Sequence, residues 1–191
     1  MPTSAIGKDL NYGYAGKISR NPLNKITPRM VKSILNSSSV ETMSNIPFGA
    51  AVVLNTDGTV SLFGQSGTGV SAATAANFGG IAVAEVQQTF SYSLGAGGGS
   101  ANSGYVPSQP CDCLNEGSAT VFMTEGTPTA GGAVYIVTVA GTTSPVGSLI
   151  ATSTPEGSGA TAVQLPNCSW TTGKVDANGI CEMTIRYASN V

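Results

Sequence analysis

An all-β fold, either a β-sandwich or a jelly-roll-like barrel with an extended N-terminal arm that holds one short helix, is predicted by three features of this 191-residue chain. From Ile46 onward, apolar and polar residues alternate with a period of two, the pattern of strands with one face in a core. The alternating runs are short and separated by clusters of Gly, Pro, Asn and Ser, as in sandwiches and barrels. The first 45 residues depart from this pattern: they are basic, and their apolar residues gather at helical spacing. The expected organisation is therefore an arm over residues 1–45 and a single β body over residues 46–191.

In the arm, Tyr12-Gly13-Tyr14-Ala15-Gly16 is too rich in Gly for a helix interior and is expected to be extended or turned. Thr27-Pro28 can open a helix as N-cap and first helical residue. Met30, Val31, Ile34 and Leu35 then share one face, and Asn36-Ser37-Ser38-Ser39 ends it. So short a helix is marginal without a docking surface. In the body, Thr59 to Phe63 alternates after the turn signal Asn55-Thr56-Asp57-Gly58. Ile81 to Val86 is a second run, and Ala119, Val121 and Met123 oppose Thr120, Phe122 and Thr124 in a third. Val134 to Val139 is rich in β-branched residues and is expected at the centre of a sheet. Met183, Ile185 and Tyr187 alternate with Glu182, Thr184 and Arg186, a half-buried strand entered through a type I′ turn at Asn178-Gly179. Leu94–Gly104 and Ser153–Gly159 are expected to be loops.

Charge is scarce and unevenly placed. Only 9% of residues are charged, against about 25% in ordinary globular chains. Gly, Ser, Thr, Ala and Asn take their place, a surface suited to a protein that ends up packed against others. Six of the eight cations, Lys8, Lys17, Arg20, Lys25, Arg29 and Lys32, lie in the first 32 residues. Up to residue 40 they face only Asp9, which gives +5, while two bases and nine acids leave the rest at −7. A basic arm on an acidic body marks an interaction segment. Tyr12 and Tyr14 interleave with the cations, as stacking on single-stranded nucleic acid requires, but the density is low and the body repels polyanions. A protein partner is therefore expected, with neither nucleic acid nor membrane. The longest apolar run, near Ala133 to Ala140, falls far short of the roughly 20 residues that span a bilayer. The start carries no charged region followed by an apolar one, so synthesis in the cytoplasm is expected.

The residues offer little chemistry. Histidine is absent, which removes the commonest general base and excludes Ser-His-Asp and Cys-His arrangements. Asp112 and Glu116 are the nearest pair of acids and flank a turn-like segment, where they are expected to be solvated. Gly64-Gln65-Ser66-Gly67-Thr68-Gly69 lacks the Lys-Ser/Thr ending of a phosphate loop. Neither a catalytic residue, a cofactor, a metal nor a small-molecule substrate is expected. Cys111, Cys113, Cys168 and Cys181 do not have zinc-site spacing. Without a secretory signal, reduced thiols are expected. If a bridge forms, Cys168–Cys181 is the pair, because these residues flank the Asn178-Gly179 turn.

An ordered set of motifs then suggests a family. Gly13-Tyr14-Ala15-Gly16 is followed by Ile46-Pro47-Phe48-Gly49-Ala50-Ala51-Val52-Val53 and Phe78-Gly79-Gly80-Ile81-Ala82-Val83-Ala84. Tyr105, Gly117-Ser118-Ala119-Thr120-Val121 and Ala130-Gly131-Gly132-Ala133-Val134-Tyr135 complete the series. This succession resembles the structural cement, or capsid decoration, proteins of tailed bacteriophages. The resemblance implies a non-enzymatic β protein on the outer capsid surface of the virion. It would bridge major capsid protein subunits there, self-associate as a dimer or trimer, and help the shell resist internal pressure.

The arm then becomes the docking element. Lys8, Lys17, Arg20, Lys25, Arg29 and Lys32 set its register, Tyr12 and Tyr14 accompany them, and Met30, Val31, Ile34 and Leu35 anchor it. Phe48, Phe63 and Phe78 are expected in the core, and Trp170 either there or at an interface. A receptor- or carbohydrate-binding tail module, or a filament subunit, is the alternative; a carbohydrate cleft needs exposed aromatics, and aromatics total 6%.

Overall fold

The computed structural model describes residues 12–84 and 104–186. Of the two expected loops, Leu94–Gly104 lies outside them apart from Gly104, whereas Ser153–Gly159 is irregular as expected. Among the described residues the chain forms eleven strands and one 3-10 turn, Ala75–Asn77. In order, the strands are β1 (Ile18–Met30), β2 (Ile46–Pro47), β3 (Ala51–Leu54), β4 (Val60–Leu62), β5 (Phe78–Ala82) and β6 (Gly104–Tyr105). They continue with β7 (Pro110–Glu125), β8 (Ala133–Val139), β9 (Leu149–Ile150), β10 (Thr161–Val175) and β11 (Ile180–Ile185).

β7, β11, β10, β8 and β9 form a closed ring, because β7 pairs antiparallel with β11 at one side and parallel with β9 at the other. β5, β3 and β4 extend from β7 as a wing, and β1 also pairs antiparallel with β7. β2 and β6 make a separate two-stranded sheet.

The alternation read from the sequence sorts side chains into two cores. Ala119, Val121 and Met123 on β7, Met183 and Ile185 on β11, and Trp170 on β10 fill the barrel. Ala51, Val53, Phe63 and Phe78 of the wing belong to the same cluster. Val52, between Ala51 and Val53, faces the other way, into a second cluster with Val31, Ile46, Val60, Ala82 and Tyr105. The wing is thus covered on both faces, which explains the nearly unbroken apolar run Ala50–Leu54. Of the aromatics, Phe63, Phe78 and Trp170 are buried, while Phe48 is half-buried and meets Tyr105 edge-to-face at 5.2 Å.

Two local expectations need correction. The Asn178-Gly179 turn is not type I′, because only Gly179 has positive φ (76°). Asp176 organises it instead: its carboxylate accepts the Asn178 and Ile180 N–H groups, both at 2.9 Å. Asn55–Gly58 shares only the backbone closure, with Gly58 at φ 81° donating its N–H to the Asn55 carbonyl as Gly179 donates to the Asp176 carbonyl. Second, β11 is buried on both sides, not half-buried, because Glu182 on its outer face is covered as well.

Hydroxyl groups on the polar faces do what ion pairs do elsewhere. Ser118, Thr184 and Thr171 link β7, β11 and β10 through contacts of 2.7 Å each. This explains how a body with so little charge satisfies its polar faces.

The four cysteines are free and buried. The Cys168–Cys181 bridge is not formed, because Cys168 pairs with Ile185, four residues along β11 from Cys181. That offset is about 13 Å along a strand, twice the reach of a disulfide. Burial pushes the Cys168 thiol up to about 12 and is the largest cause raising Cys181 to about 11. Thiol reagents are therefore expected to leave the native protein unlabelled and to modify four residues after denaturation; rapid native labelling would contradict this packing. Ile81, fully buried between wing and barrel, tests the core: Ile81→Ala should lower the unfolding free energy by about 2–5 kcal/mol in urea titrations.

Candidate interaction surface

The N-terminal segment is built into the fold from Tyr12 onward. The Tyr12 N–H donates to Asp176 Oδ2 at 2.9 Å, and its hydroxyl meets Thr172 at 2.9 Å. Gly16 then passes through a crowded junction. Its N–H donates to the Thr120 carbonyl at 2.6 Å, and its carbonyl accepts the Ala84 N–H at 2.9 Å. A Cβ on Gly16 would lie 2.7 Å from both the Gly49 nitrogen and Phe48 Cβ, and φ is +86°. Only glycine fits. Gly49 in turn donates to the Ala82 carbonyl, and the Tyr105 hydroxyl donates to the Val83 carbonyl. Five of the six sequence motifs quoted above therefore meet at one place.

β1 continues along β7 with three register shifts between Ile18 and Ile26. Around residues 21–24 the strand bulges outward. Asn24 folds back, its amide donating to the Arg20 carbonyl, and it occupies space that a side chain on Gly117 would fill. The bulge leaves Leu23 80% exposed. Beneath it runs an open groove of about 270 Å³ between Arg20, Glu116, Thr184 and Arg186.

Two ion pairs, the only ones within 4.0 Å among the described residues, fasten this segment. Arg20 makes two hydrogen bonds to Glu182, at 2.8 and 3.1 Å. The Glu182 side chain is only 4% exposed. Burial alone would raise its pKa, but hydrogen bonds and the Arg20 charge outweigh it and hold the carboxyl below its ordinary value. At the other end Lys32 binds Asp57 in the β3–β4 turn, and the Asp57 carboxyl is held far below its usual range by Lys32 and Thr59.

No helix follows Thr27-Pro28. Thr27 to Met30 pairs residue by residue with Cys113 to Pro110. Val31 extends the line with a parallel bridge to Val60. The expected apolar stripe is therefore split: Val31 is in the second core, Met30 points outward, Ile34 is half-buried and Leu35 is exposed. Tertiary pairing with β7 overrides the local helix signal. Residues 33–43 then fold into a small hairpin, with Leu35 opposite Glu41.

Of the cations, Lys17 and Lys25 are exposed, and Arg29 makes only a 3.4 Å contact with the Gly58 carbonyl. Among the described residues none of these three has an ion-pair partner. Tyr14 is exposed, and Lys8 lies outside the described residues. Leu23 and Val40 are exposed apolar residues as well; sequence periodicity passed over them because neither belongs to an apolar repeat. Asp112 and Glu116 lie on β7, not in a turn. Among the described residues no group of three or more His, Cys, Asp or Glu is placed to hold a metal ion, and no helix is long and apolar enough to cross a membrane.

The Arg20–Glu182 pair has a definite pH signature. Stability from a lowered carboxyl is present above the ordinary value of 4.5 and lost as pH falls through the folded value. Arg20→Ala leaves Glu182 buried without its cation, so the melting temperature should fall by a few degrees at neutral pH. The deficit relative to the unmodified protein should shrink as Glu182 protonates below about pH 4.5. A pH-independent deficit would mean that Arg20 acts through packing alone.

Residues 1–186 match the family described as structural cement protein (E217 gp24/Pam3 gp6). A solved chain from "The capsid of Myoviridae Phage XM1" shares the fold, with a TM-score of 0.60 at 16% identity, over 98% of this chain and 99% of that one. No curated protein matches. With a family match that runs through all eleven strands and the motifs that meet at Gly16, the chain belongs to the phage structural cement proteins.

Proposed function

We propose that this cement protein sits on the outer surface of the capsid, bridges neighbouring major capsid protein subunits, and self-associates there as a dimer or trimer. It is made in the host cytoplasm, and its contacts are with protein, not with nucleic acid, membrane or a small-molecule substrate. The observation that carries the reading is a set of cations without an ion-pair partner, together with exposed apolar side chains, on and beside β1 in a chain whose residues 1–186 match the cement family. Lys17, Lys25 and Arg29 supply the charge, while Tyr14, Leu23, Met30 and Leu35 supply apolar area.

Each side chain acts in a different way. Arg20 and Lys32 hold the segment in place through their own carboxylates. Lys17, Lys25 and Arg29 are free to meet carboxylates on a neighbour and set register. A segment already ordered before docking loses less entropy than a disordered arm would. Repetition over a lattice turns modest contacts into avidity. Tyr12 orients the chain through Asp176, and Lys8 precedes it in the sequence.

The test is binding of the purified chain to capsids that lack it, by cosedimentation across a salt series. The triple variant Lys17→Ala/Lys25→Ala/Arg29→Ala should bind about tenfold more weakly at low salt. The gap should narrow as salt rises. Equal binding at every salt concentration would remove the cations from the contact.

A further inference from the structure

We propose that residues 12–20 form a strap across the barrel that acid releases as a unit while the barrel stays folded. The switch is a property of the chain by itself and goes beyond the cement reading, although the strap carries Tyr14 and Lys17. It runs from Ile18 beside Ala119 of β7, past Glu182 of β11, to Thr172 of β10 and Asp176 just after it. Two carboxylates hold its ends. Glu182 takes both hydrogen bonds from Arg20, and Asp176 Oδ2 accepts the Tyr12 N–H at 2.9 Å.

What lies between those ends is mostly polar. The Gly16 N–H donates to the Thr120 carbonyl at 2.6 Å, and the Ala84 N–H donates to the Gly16 carbonyl. The Thr120 hydroxyl donates to the Tyr14 carbonyl at 2.7 Å and accepts the Lys17 N–H at 3.1 Å. Of the strap's side chains, Ile18 packs against the barrel core. The face beneath presents Thr120, Glu182 and Ser118, groups that water can solvate when the strap lifts. A segment with few buried apolar contacts opens separately from the core that carries it. The three register shifts between Ile18 and Ile26 mark where opening stops: beyond them Ile26 packs on the barrel core, and Ile26 to Met30 pairs with β7 without a further shift.

The strands beneath are joined without carboxylates. Their outer polar links run from hydroxyl to hydroxyl through Ser118, Thr184 and Thr171, and their inner faces are apolar. The two carboxyls that hold the strap both lie below their ordinary values. Burial raises Asp176, but the N–H groups of Ile180, Tyr12 and Asn178 outweigh it, as the Arg20 contact does at Glu182. The groups that face them are Arg20 and Tyr12 on the strap and Cys181 on β11. Arg20 stays charged in acid, and the Cys181 thiol, raised by burial to about 11, stays protonated, so the change there is that of the two carboxyls. Their hold is complete above the ordinary values of 4.5 and 3.8 and is lost as pH falls through the folded values.

Hydrogen exchange on the purified full chain, corrected for the intrinsic rate at each pH, tests the switch. Between about pH 7 and about pH 3 the Tyr12, Gly16 and Lys17 amides are expected to lose about tenfold or more of their protection. The Val137 and Trp170 amides, bonded within the barrel to Ser148 and Gly132, should keep theirs. Strap amides that stay protected in acid overturn the proposal, and so does barrel protection lost in step with the strap's. Asp176→Asn/Glu182→Gln imitates protonation at neutral pH: one oxygen of each carboxylate becomes an NH2 group, which cannot accept from Tyr12 or Arg20. This variant should show the strap's faster exchange already at neutral pH, with the barrel protected and little further response to acid. A variant whose strap stays protected at neutral pH and still opens in acid removes the two carboxylates from the switch and overturns it. Should the double variant fail to fold, Asp176→Asn alone is read at Tyr12 and Gly16. Its Oδ1 can still accept the Asn178 and Ile180 N–H groups, so full protection at Tyr12 and Gly16 overturns the proposal.

Discussion

Strand β7 is the constraint on which the rest of the structure depends. Its sixteen residues pair with β1, β5, β9 and β11. A strand has only two edges, so the partners divide its length: β5 at Leu114 and Cys113, β11 from Gly117 to Phe122, and β9 from Met123 to Glu125. The change of partner near residues 115–117 requires unusual residues. Asn115 is buried and donates to the Gly79 carbonyl where wing and barrel meet. Gly117, at φ +128°, leaves room for Asn24. Barrel, wing and N-terminal segment therefore share one backbone.

The basic residues look different in this setting. β1 pairs only with β7 among the described strands, so its other side is a sheet edge. Two prolines, three register shifts and several cations lie along it. These are the devices by which natural sheets discourage uncontrolled edge pairing. Arg20 and Lys32 are fasteners, while Lys25 and Arg29 lie along the free edge without an ion-pair partner, so the clustering of cations at one end of the chain reflects one segment that is both fastened and guarded. The −7 of the remainder follows in part, since Glu182 and Asp57 are the acids to which this strand is fastened.

How much of this was legible in the sequence depends on which force set each element. The alternation of Ala119, Val121 and Met123 and the β-branched run at Val134 reported strands directly, because burial on a pleated sheet imposes a period of two. The stretch from Pro110 to Gly117 did not, because Asp112, Asn115, Glu116 and Gly117 are there for the change of partner and interrupt the pattern. Thr27-Pro28 resembled a helix start, yet its backbone bonds are made by a strand about 85 residues away, which no local signal reports. The Gly-containing motifs suggested a family without saying why, and the reason is geometric: at Gly16 and Gly49 two chain segments pass too close for a side chain on either. Leu23 and Val40 gave no periodic signal, since an exposed residue on a bulge or hairpin tip obeys no repeat.

The antiparallel run of β1 on β7 has a consequence for loading direction. From Lys25↔Glu116 to Met30↔Pro110 the two strands lie side by side. A pull along β1 from one end strains all the cross-strand hydrogen bonds of that run together, whereas a pull perpendicular to it opens them one at a time. Lys32–Asp57 lies just beyond one end of this run, and Arg20–Glu182 lies across the bulge from the other. The segment is thus stiffest against traction tangential to the sheet and weakest against traction normal to it.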